Sequence, residues 1–523
     1  MNEFVALFFA LEGNRSVISK TNLLEAYLSR LPNDQLLFAT ALFLNRKPKK
    51  CASSTELKEW LKECTEYPDW LIAECYNQCG DLAETLNLLI PDGKGKWKKS
   101  LSDIFQLLNE LKLLSRDAVK KEVIGAWEFL SSEQRLVFNK LLTGGFRIGV
   151  SEQLFMSALA SSLKVEKSTL ITALTGYWDP QTDTLEKLLG QYNQDPSKPY
   201  PFCLAHPLAN EVSDLGAITD WQFEYKWDGI RCQLVKRAGK FYLWSRGEEL
   251  ITDQFPEFLS FSALPDGTVL DGEIVAIGHT NLPSFSLLQS RLNVKKPSKK
   301  LVQTNPVSFY VFDILERDGE DIRNQNLISR NRTLSILSST FEEIEIKLPP
   351  MVYPQNWDEV EVLRQEANLL GAEGLMIKRK DSTYSIGRQK GVWYKHKIDP
   401  FSVDAVLIYA QKGHGQRSGI YSDYTFAVWK DGTLLPFAKA YSGLTKAELK
   451  EIDAFIKRNT LEKFGPVRTV QPELVFEISF EGVTRSKRHK SGYSVRFPRI
   501  SRIRRDLKPV DANSVEDLAQ FCT

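Results

Sequence analysis

The stretch Glu224-Tyr225-Lys226-Trp227-Asp228-Gly229-Ile230-Arg231 decides how the rest of this chain is read. Its lysine stands among strand-forming residues, with a carboxylate two positions on and a glycine turn behind it, so the amine can be presented at a cavity. A chance match to Lys-x-Asp-Gly-x-Arg in a chain of this length is on the order of one in a hundred at average residue usage. Alone, an ordinary strand and turn would explain it. It is not alone. Ser245-Arg246-Gly247-Glu248, Leu270-Asp271-Gly272-Glu273, Phe309-Tyr310-Val311-Phe312-Asp313, Glu373-Gly374-Leu375-Met376-Ile377-Lys378 and Trp393-Tyr394-Lys395-His396-Lys397 follow in order. The series ends on Arg496-Phe497-Pro498-Arg499, then Arg502, Arg504, Asp506 and Lys508.

Around this series the texture of the chain changes twice. Up to about residue 185 the apolar residues recur at helical steps, as in Leu101, Ile104, Phe105, Leu107, Leu108, Leu111 and Leu114, with Ser100 placed as an N-cap. Ser151 opens another helix. Prolines and polar residues over 195–201 break all periodicity and read as an extended linker. From about 220, short apolar or alternating runs at 241–244, 268–270, 274–277 and 308–314 read as strands, with a helix over 357–370. Beyond Pro400, strands at 403–409, 424–429, 433–438 and 474–478 surround one helix near 446–458, a pattern that suits a small barrel of the OB type.

Composition excludes several classes. The chain has 523 residues, 42% hydrophobic and 26% charged, which is ordinary for a globular protein of about three domains. No apolar run approaches the length of a membrane span, and the run at 4–11 has no basic region before it, so no membrane partner and no signal peptide are expected. Seven cysteines with no CxxC pair argue against a disulfide framework and a structural zinc site, and point to a reducing cytoplasm. The net charge is only +2, yet Arg485, Lys487, Arg488 and Lys490 join the basic residues named above in a C-terminal run. By itself such a run is a solvated face. No GxxxxGK[ST] loop exists, the Gly-rich stretch 412–419 reads as a hairpin loop, and His206, His279, His396, His414 and His489 form no metal-binding motif.

The ordered motifs, covering 201–509, resemble the covalent nucleotidyltransferases and most closely the ATP-dependent DNA ligases of the three-domain prokaryotic type. Gly80-Asp81-Leu82-Ala83-Glu84-Thr85 and Gly144-Gly145-Phe146-Arg147-Ile148-Gly149 resemble the DNA-binding domain of such ligases. The resemblance implies a multidomain α+β protein. An all-α DNA-binding domain occupies 1–195, an α+β nucleotidyltransferase (ATP-grasp-like adenylation) domain 200–398, and a β-barrel OB-fold domain 399–523. It implies a bacterial or archaeal cytoplasmic monomer that seals 5′-phosphate/3′-hydroxyl nicks in double-stranded DNA, using ATP and Mg²⁺ or Mn²⁺, through lysyl-AMP and DNA-adenylate. No segment reads as a docking peptide for another protein.

Side-chain chemistry then assigns roles. An unperturbed lysine, with a pKa of about 10.4, is almost wholly protonated at pH 7, so a nucleophilic Lys226 needs nearby cations and a dry pocket. Arg231, Lys395 and Lys397 are expected to supply those cations and neutralise the triphosphate. Phe312 offers a face for adenine, where a core position is its plainer reading; Glu224 offers an acceptor for the adenine amine. Glu273 and Glu373 are hard oxygen ligands for a divalent cation. Arg246, Lys378 and Arg388 are candidates for phosphate and ribose contacts, and Asp228 for ribose or metal. The resemblance to ligases implies that the C-terminal segment orients the leaving pyrophosphate through Arg499 and the Asp506/Lys508 pair, although Leu507 separates the acid from the base where the family more commonly has them adjacent. Arg147 and Arg46 are the DNA-contact candidates of the first domain. Rival readings are an RNA ligase, a capping guanylyltransferase, an NAD-dependent ligase (for which a zinc-binding cysteine quartet is expected), or a non-catalytic DNA-binding scaffold.

Overall fold

The computed structural model describes residues 1–522 apart from 15, 47, 49, 94, 145–147, 192–194, 209–210, 279–281, 293, 342–343, 345, 414–418, 465–466 and 488, and only the backbone at 77, 78, 191 and 286. The chain forms two compact units: Met1–Tyr27, Phe38–Glu152 and Pro400–Thr523 in one, Leu28–Leu37 and Gln153–Asp399 in the other.

The first 163 residues are helical wherever their structure is described, except for turns and connections. α1 (Leu101–Glu110) begins where Ser100 accepts a hydrogen bond from the Asp103 amide and Asp103 returns one from the Ser100 amide, a reciprocal cap that satisfies two orphan donors. Its buried face is Leu101, Ile104, Phe105 and Leu108, the residues at helical spacing. α2 (Ser132–Thr143) carries Arg135, which is 1% exposed. Its guanidinium donates to the Asn87 Oδ1 and to the carbonyls of Asn87, Ile90, Pro91 and Trp127. The buried arginine thus serves as the common donor of these groups. Lysine carries three donors and cannot meet five acceptors. Arg135→Lys is expected to cost about 2–3 kcal/mol, seen as a lower urea midpoint for the helical segment. α3 (Glu152–Leu163) starts one residue after Ser151, as the sequence indicates.

In the second unit, two antiparallel-rich sheets are joined by the turn that follows the strand of the signature lysine. β1 (Trp221–Trp227) lies between Met351–Val352 and β6 (Ala372–Arg379), with β7 (Trp393–Lys397) beyond β6. β2 (Ile230–Arg237) pairs instead with β3 (Lys240–Ser245) and β4 (Thr268–Ala276), and β5 (Val307–Arg317) continues that second sheet. Asp228-Gly229 is thus the crossing from one sheet to the other. A Cβ on Gly229 would stand 2.2 Å from the Ile274 carbonyl oxygen, so glycine alone fits the crossing. The runs at 268–270 and 274–277 are one strand, because Asp271 and Gly272 are buried between β2 and β5. The stretch 195–201 has no helix or strand but is docked: Tyr200 exchanges hydrogen bonds with the Gln233 side chain, and Trp244 donates to the Ser197 carbonyl. Two helices complete the frame, α4 (Leu327–Leu337) beside β5 and α5 (Trp357–Glu366) beside β6.

Residues 400–522 contain a seven-stranded antiparallel sheet built on β8 (Phe401–Lys412), β9 (Tyr421–Lys430) and β10 (Thr433–Ala440). α6 (Lys446–Arg458) follows β10, as expected, and β11 (Val475–Phe480) pairs with β8 and β12 (Arg499–Ile503). The apolar sides enclose Val403, Leu407, Phe426, Phe476, Ile478 and Ile500. Most of the Gly-rich stretch, 414–418, lies outside the described residues.

Candidate active site

The alternation of β1 puts Gln222, Glu224 and Lys226 on one face and Trp221 and Phe223 on the other, where the latter two pack against Val360, Leu375 and Ile377. Lys226 Nζ meets Glu373 Oε2 at 2.7 Å, and Lys397 Nζ reaches the same oxygen at 3.3 Å. Glu373 is placed by an irregularity: Gly374, at φ +135°, lies against His396, whose carbonyl would be 2.3 Å from an added Cβ, and the register slips between Ala372 and Leu375. Burial pushes the Glu373 carboxyl up, but the Lys226 ammonium beside it, and then Lys397, override it and bring it to about 2. Burial, then its neighbours Lys397, Lys226 and Arg388, push the Lys395 ammonium below its ordinary range. Lys226 and Lys397 therefore share one strong carboxylate, and Lys395 lies in the field of both. Glu273, on β4, feels Lys226 and Arg231, yet desolvation dominates and raises it to about 8.

Two residues back along β1 the chemistry changes. Glu224 Oε2 accepts from Lys378 Nζ at 2.7 Å, and both side chains are nearly fully buried. Lys378 Nζ also lies 4.3 Å from the centre of the Phe312 ring and 4.5 Å from that of Trp393. Phe312 is half-buried, edge-on to Trp393, and lines a cavity of about 520 Å³ with Glu224 and Gln222. Past these polar residues the walls are apolar, with Ile328, Leu334 and Met351 among them. A flat, apolar guest with one polar edge fits this end; a polyanion fits the lysine end.

The chain matches three family models: "DNA ligase N terminus" over 1–160, "ATP dependent DNA ligase domain" over 203–397 and "ATP dependent DNA ligase C terminal region" over 417–507. It is 30% identical to a probable DNA ligase of Koribacter versatilis (strain Ellin345), over 84% of this chain and 81% of that one. The chain belongs to the ATP-dependent DNA ligases. A DNA ligase of Thermococcus fumicolans is 25% identical over 99% of this chain and 98% of its own length. The solved structure named Pmar-Lig_PreS3 shares the fold, with a TM-score of 0.64 at 18% identity over 96% of this chain and 99% of that one.

The ligase brings most of the expected residues together, though not all in the expected way. Arg231 holds Asp271 through Nε at 3.2 Å and Nη2 at 2.7 Å, while Tyr384 donates to the same carboxylate at 2.5 Å. Its guanidinium lies over the Phe312, Phe202 and Trp393 rings at 5.2–5.6 Å. The cation foreseen beside the triphosphate is thus committed to a buried pair, and Asp271 and Tyr384 are partners that sequence reasoning did not assign. Asp271 stood inside a quoted motif, but nothing in the sequence linked Tyr384 to it, 113 residues away. Arg388 is exposed on a short strand paired with Cys203–Leu204, and Arg246 is exposed just after β3. In the other unit, Arg499 is partly exposed and 3.9 Å from Glu481. Asp506 is taken by Arg504 at 2.7 Å and not by Lys508, which is exposed. Arg504 also grips Asp404 with two bonds, so this acid–base motif is partly a clamp on β8. Arg46 is half-buried just after the helix Asn33–Phe43; Arg147 lies outside the described residues. No described helix is long and apolar enough to cross a membrane.

Proposed function

We propose that Lys226 is the nucleophile of this ATP-dependent DNA ligase. The observation that carries the reading is the convergence of Lys226 and Lys397 on the single carboxylate of Glu373, with Lys395 in their field and Lys226 two strand positions from Glu224. Crowded cations repel one another until a polyphosphate arrives, so ATP binding relieves a strain built into the apo site. The neutral Lys226 amine attacks the α-phosphorus, an N–P bond forms, and the bond to the bridging oxygen breaks as pyrophosphate leaves. Lys395 and Arg388 neutralise the charge that grows on that leaving group. Glu373, strongly acidic, orients the Lys226 amine; it is too weak a base to take its proton. The adenylate then passes to a DNA 5′-phosphate, and attack by the 3′-hydroxyl releases AMP.

A divalent cation fits Glu273 and Glu373. Both are hard oxygen donors in one charge cluster, and a desolvated Glu273 gains most from a positive ligand. Among the described residues no group of three or more His, Cys, Asp or Glu is assembled to cage a metal. Mg²⁺ suits such a site, because it keeps waters and shares substrate phosphates. It would supply charge neutralisation on the triphosphate.

The three-domain division 1–195, 200–398 and 399–523 is supported by the three family matches, and the OB-type barrel by the antiparallel strands with α6 between them. We take Arg46 and Arg147 as DNA contacts, and the enzyme as a cytoplasmic monomer acting on nicked duplex DNA. Labelled ATP, GTP and NAD offered separately test the whole reading: label stays on the denatured protein with ATP alone. Arg499 separates the steps. Arg499→Ala is expected to slow self-adenylation by about 10²–10³-fold, as one lost transition-state donor does, while a nick already carrying 5′-AMP is sealed at near wild-type rate. Equal losses on both substrates would assign Arg499 to DNA.

A further inference from the structure

A chain of two amides, partly buried at Asn331 and buried at Gln222, runs from α4 to the purine end of the site. Asn331 Nδ2 donates to Gln222 Oε1, and Gln222 Nε2 donates to Glu224 Oε1 at 2.7 Å. Gln222 and Glu224 are both buried, and all three residues line the apolar cavity. The direction of the chain is forced. An ionised carboxylate only accepts, so Gln222 must show it the NH₂ group; its oxygen then faces Asn331, which must donate. On the far side Lys378 donates to the other Glu224 oxygen. A carboxylate has about four acceptor positions, of which these donors take two. The rest are left at a fixed angle into the cavity.

We infer that Asn331 and Gln222 are positioning residues for nucleobase selection, holding Glu224 so that it accepts from an exocyclic amine and repels a carbonyl in its place. The inference rests on the proposed reading of Glu224 as the acceptor for the adenine amine. An adenine presents its 6-amino N–H donors to this edge; a hypoxanthine or guanine presents an oxygen in that place, acceptor against acceptor, to a carboxylate that is itself buried. Discrimination of this kind is large only when the reading group cannot turn away. The relay removes that freedom, because rotating Glu224 breaks the Gln222 bond, and rotating Gln222 breaks the Asn331 bond.

The test compares self-adenylation of the full-length ligase with ATP and with inosine triphosphate, which carries a 6-oxo group and an N1–H where ATP has a 6-amino group and a bare N1. Asn331→Asp offers an acceptor where a donor stood, so Gln222 turns to donate to it and shows its oxygen to Glu224. Gln222→Met removes the donor at similar volume. Each is expected to lower the ATP-to-inosine-triphosphate ratio of kcat/KM by roughly tenfold, the usual scale for one hydrogen bond to a charged group. KM for ATP should rise with kcat held, and competitive inhibition by tripolyphosphate should be unchanged, because the lysine end is untouched. Equal losses for both nucleotides with weakened tripolyphosphate binding would reduce the pair to a structural role and overturn the inference. Glu224→Gln keeps the two failures apart. If it collapses the ratio while Asn331→Asp and Gln222→Met do not, the relay is wrong; if it too leaves the ratio intact, the reading of Glu224 fails, and the inference fails with it.

Discussion

Lys226→Arg will carry no AMP: after incubation with labelled ATP and denaturation, no label remains on the protein. A guanidinium preserves the charge next to Glu373 and can keep the ion pair seen at 2.7 Å. It cannot be deprotonated in a protein, so it offers no lone pair to phosphorus. The loss is therefore chemical, not electrostatic, and ATP binding should survive in large part because Lys395, Lys397 and Arg388 remain. A nick already adenylated on its 5′-phosphate should still be sealed, since that step uses no lysine nucleophile. Label retained on the variant would move the nucleophile elsewhere, and Lys395, whose ammonium is already depressed by burial and by its cationic neighbours, would be the next residue to test.

Asp313→Ala is expected to destabilise the unit that carries the nucleotide pocket by about 3–5 kcal/mol, the usual cost of stranding one member of a buried ion pair. Asp313 follows Phe312 on β5, and both Asp313 and Arg330 are fully excluded from solvent. Arg330 Nε and Nη2 hold the carboxylate at 2.8 and 2.9 Å, while Nη1 donates to the carbonyls of Gln325 and Ser382. Removing the carboxylate leaves a guanidinium charge that nothing else at that position neutralises. Differential scanning calorimetry should show the corresponding transition moving to markedly lower temperature. The double variant Asp313→Leu with Arg330→Met removes both charges and should recover most of the loss, because a well-packed apolar pair can replace a buried ionic one at little net cost. An unchanged transition in the single variant would mean that water reaches Arg330. The pair matters for function through position: Asp313 anchors the strand beside Phe312, and α4 carries Arg330 next to Asn331, so one helix steadies both the ring proposed to meet the base and the relay that holds Glu224.

Much of the site was readable because catalysis needs particular residue types at short spacing. Lys226 and Asp228 lie on one strand and its turn, Glu373 and Lys378 on one strand, and Lys395 and Lys397 on another, so local order predicts local geometry. The alternation of β1 correctly puts Glu224 and Lys226 on the same face. The helix boundaries at Ser100, Ser151 and 446–458 followed from caps and periodicity, both of them local signals. Failures came where burial overrides pattern. The run from 268 to 277 looked broken at Asp271 and Gly272, but a polar pair buried between two strands is cheap once Arg231 and Tyr384 satisfy it. The stretch 195–201 looked like a free linker because proline spacing says nothing of what lies beside it.

From its sequence alone the ligase could be given its family and a candidate lysine nucleophile, with acidic and basic neighbours in order along the chain. Charge partners were another matter. Which carboxylate Lys226 touches, why Arg231 is unavailable to the triphosphate, that Asp506 answers to Arg504, and that Asn331 reaches Glu224 through Gln222 were all settled by contacts between residues from 2 to 147 positions apart. A residue type declares what it can bond to. Only packing decides which of several eligible partners comes within 3 Å, because an ion pair or hydrogen bond gains its strength from the water that the rest of the fold excludes.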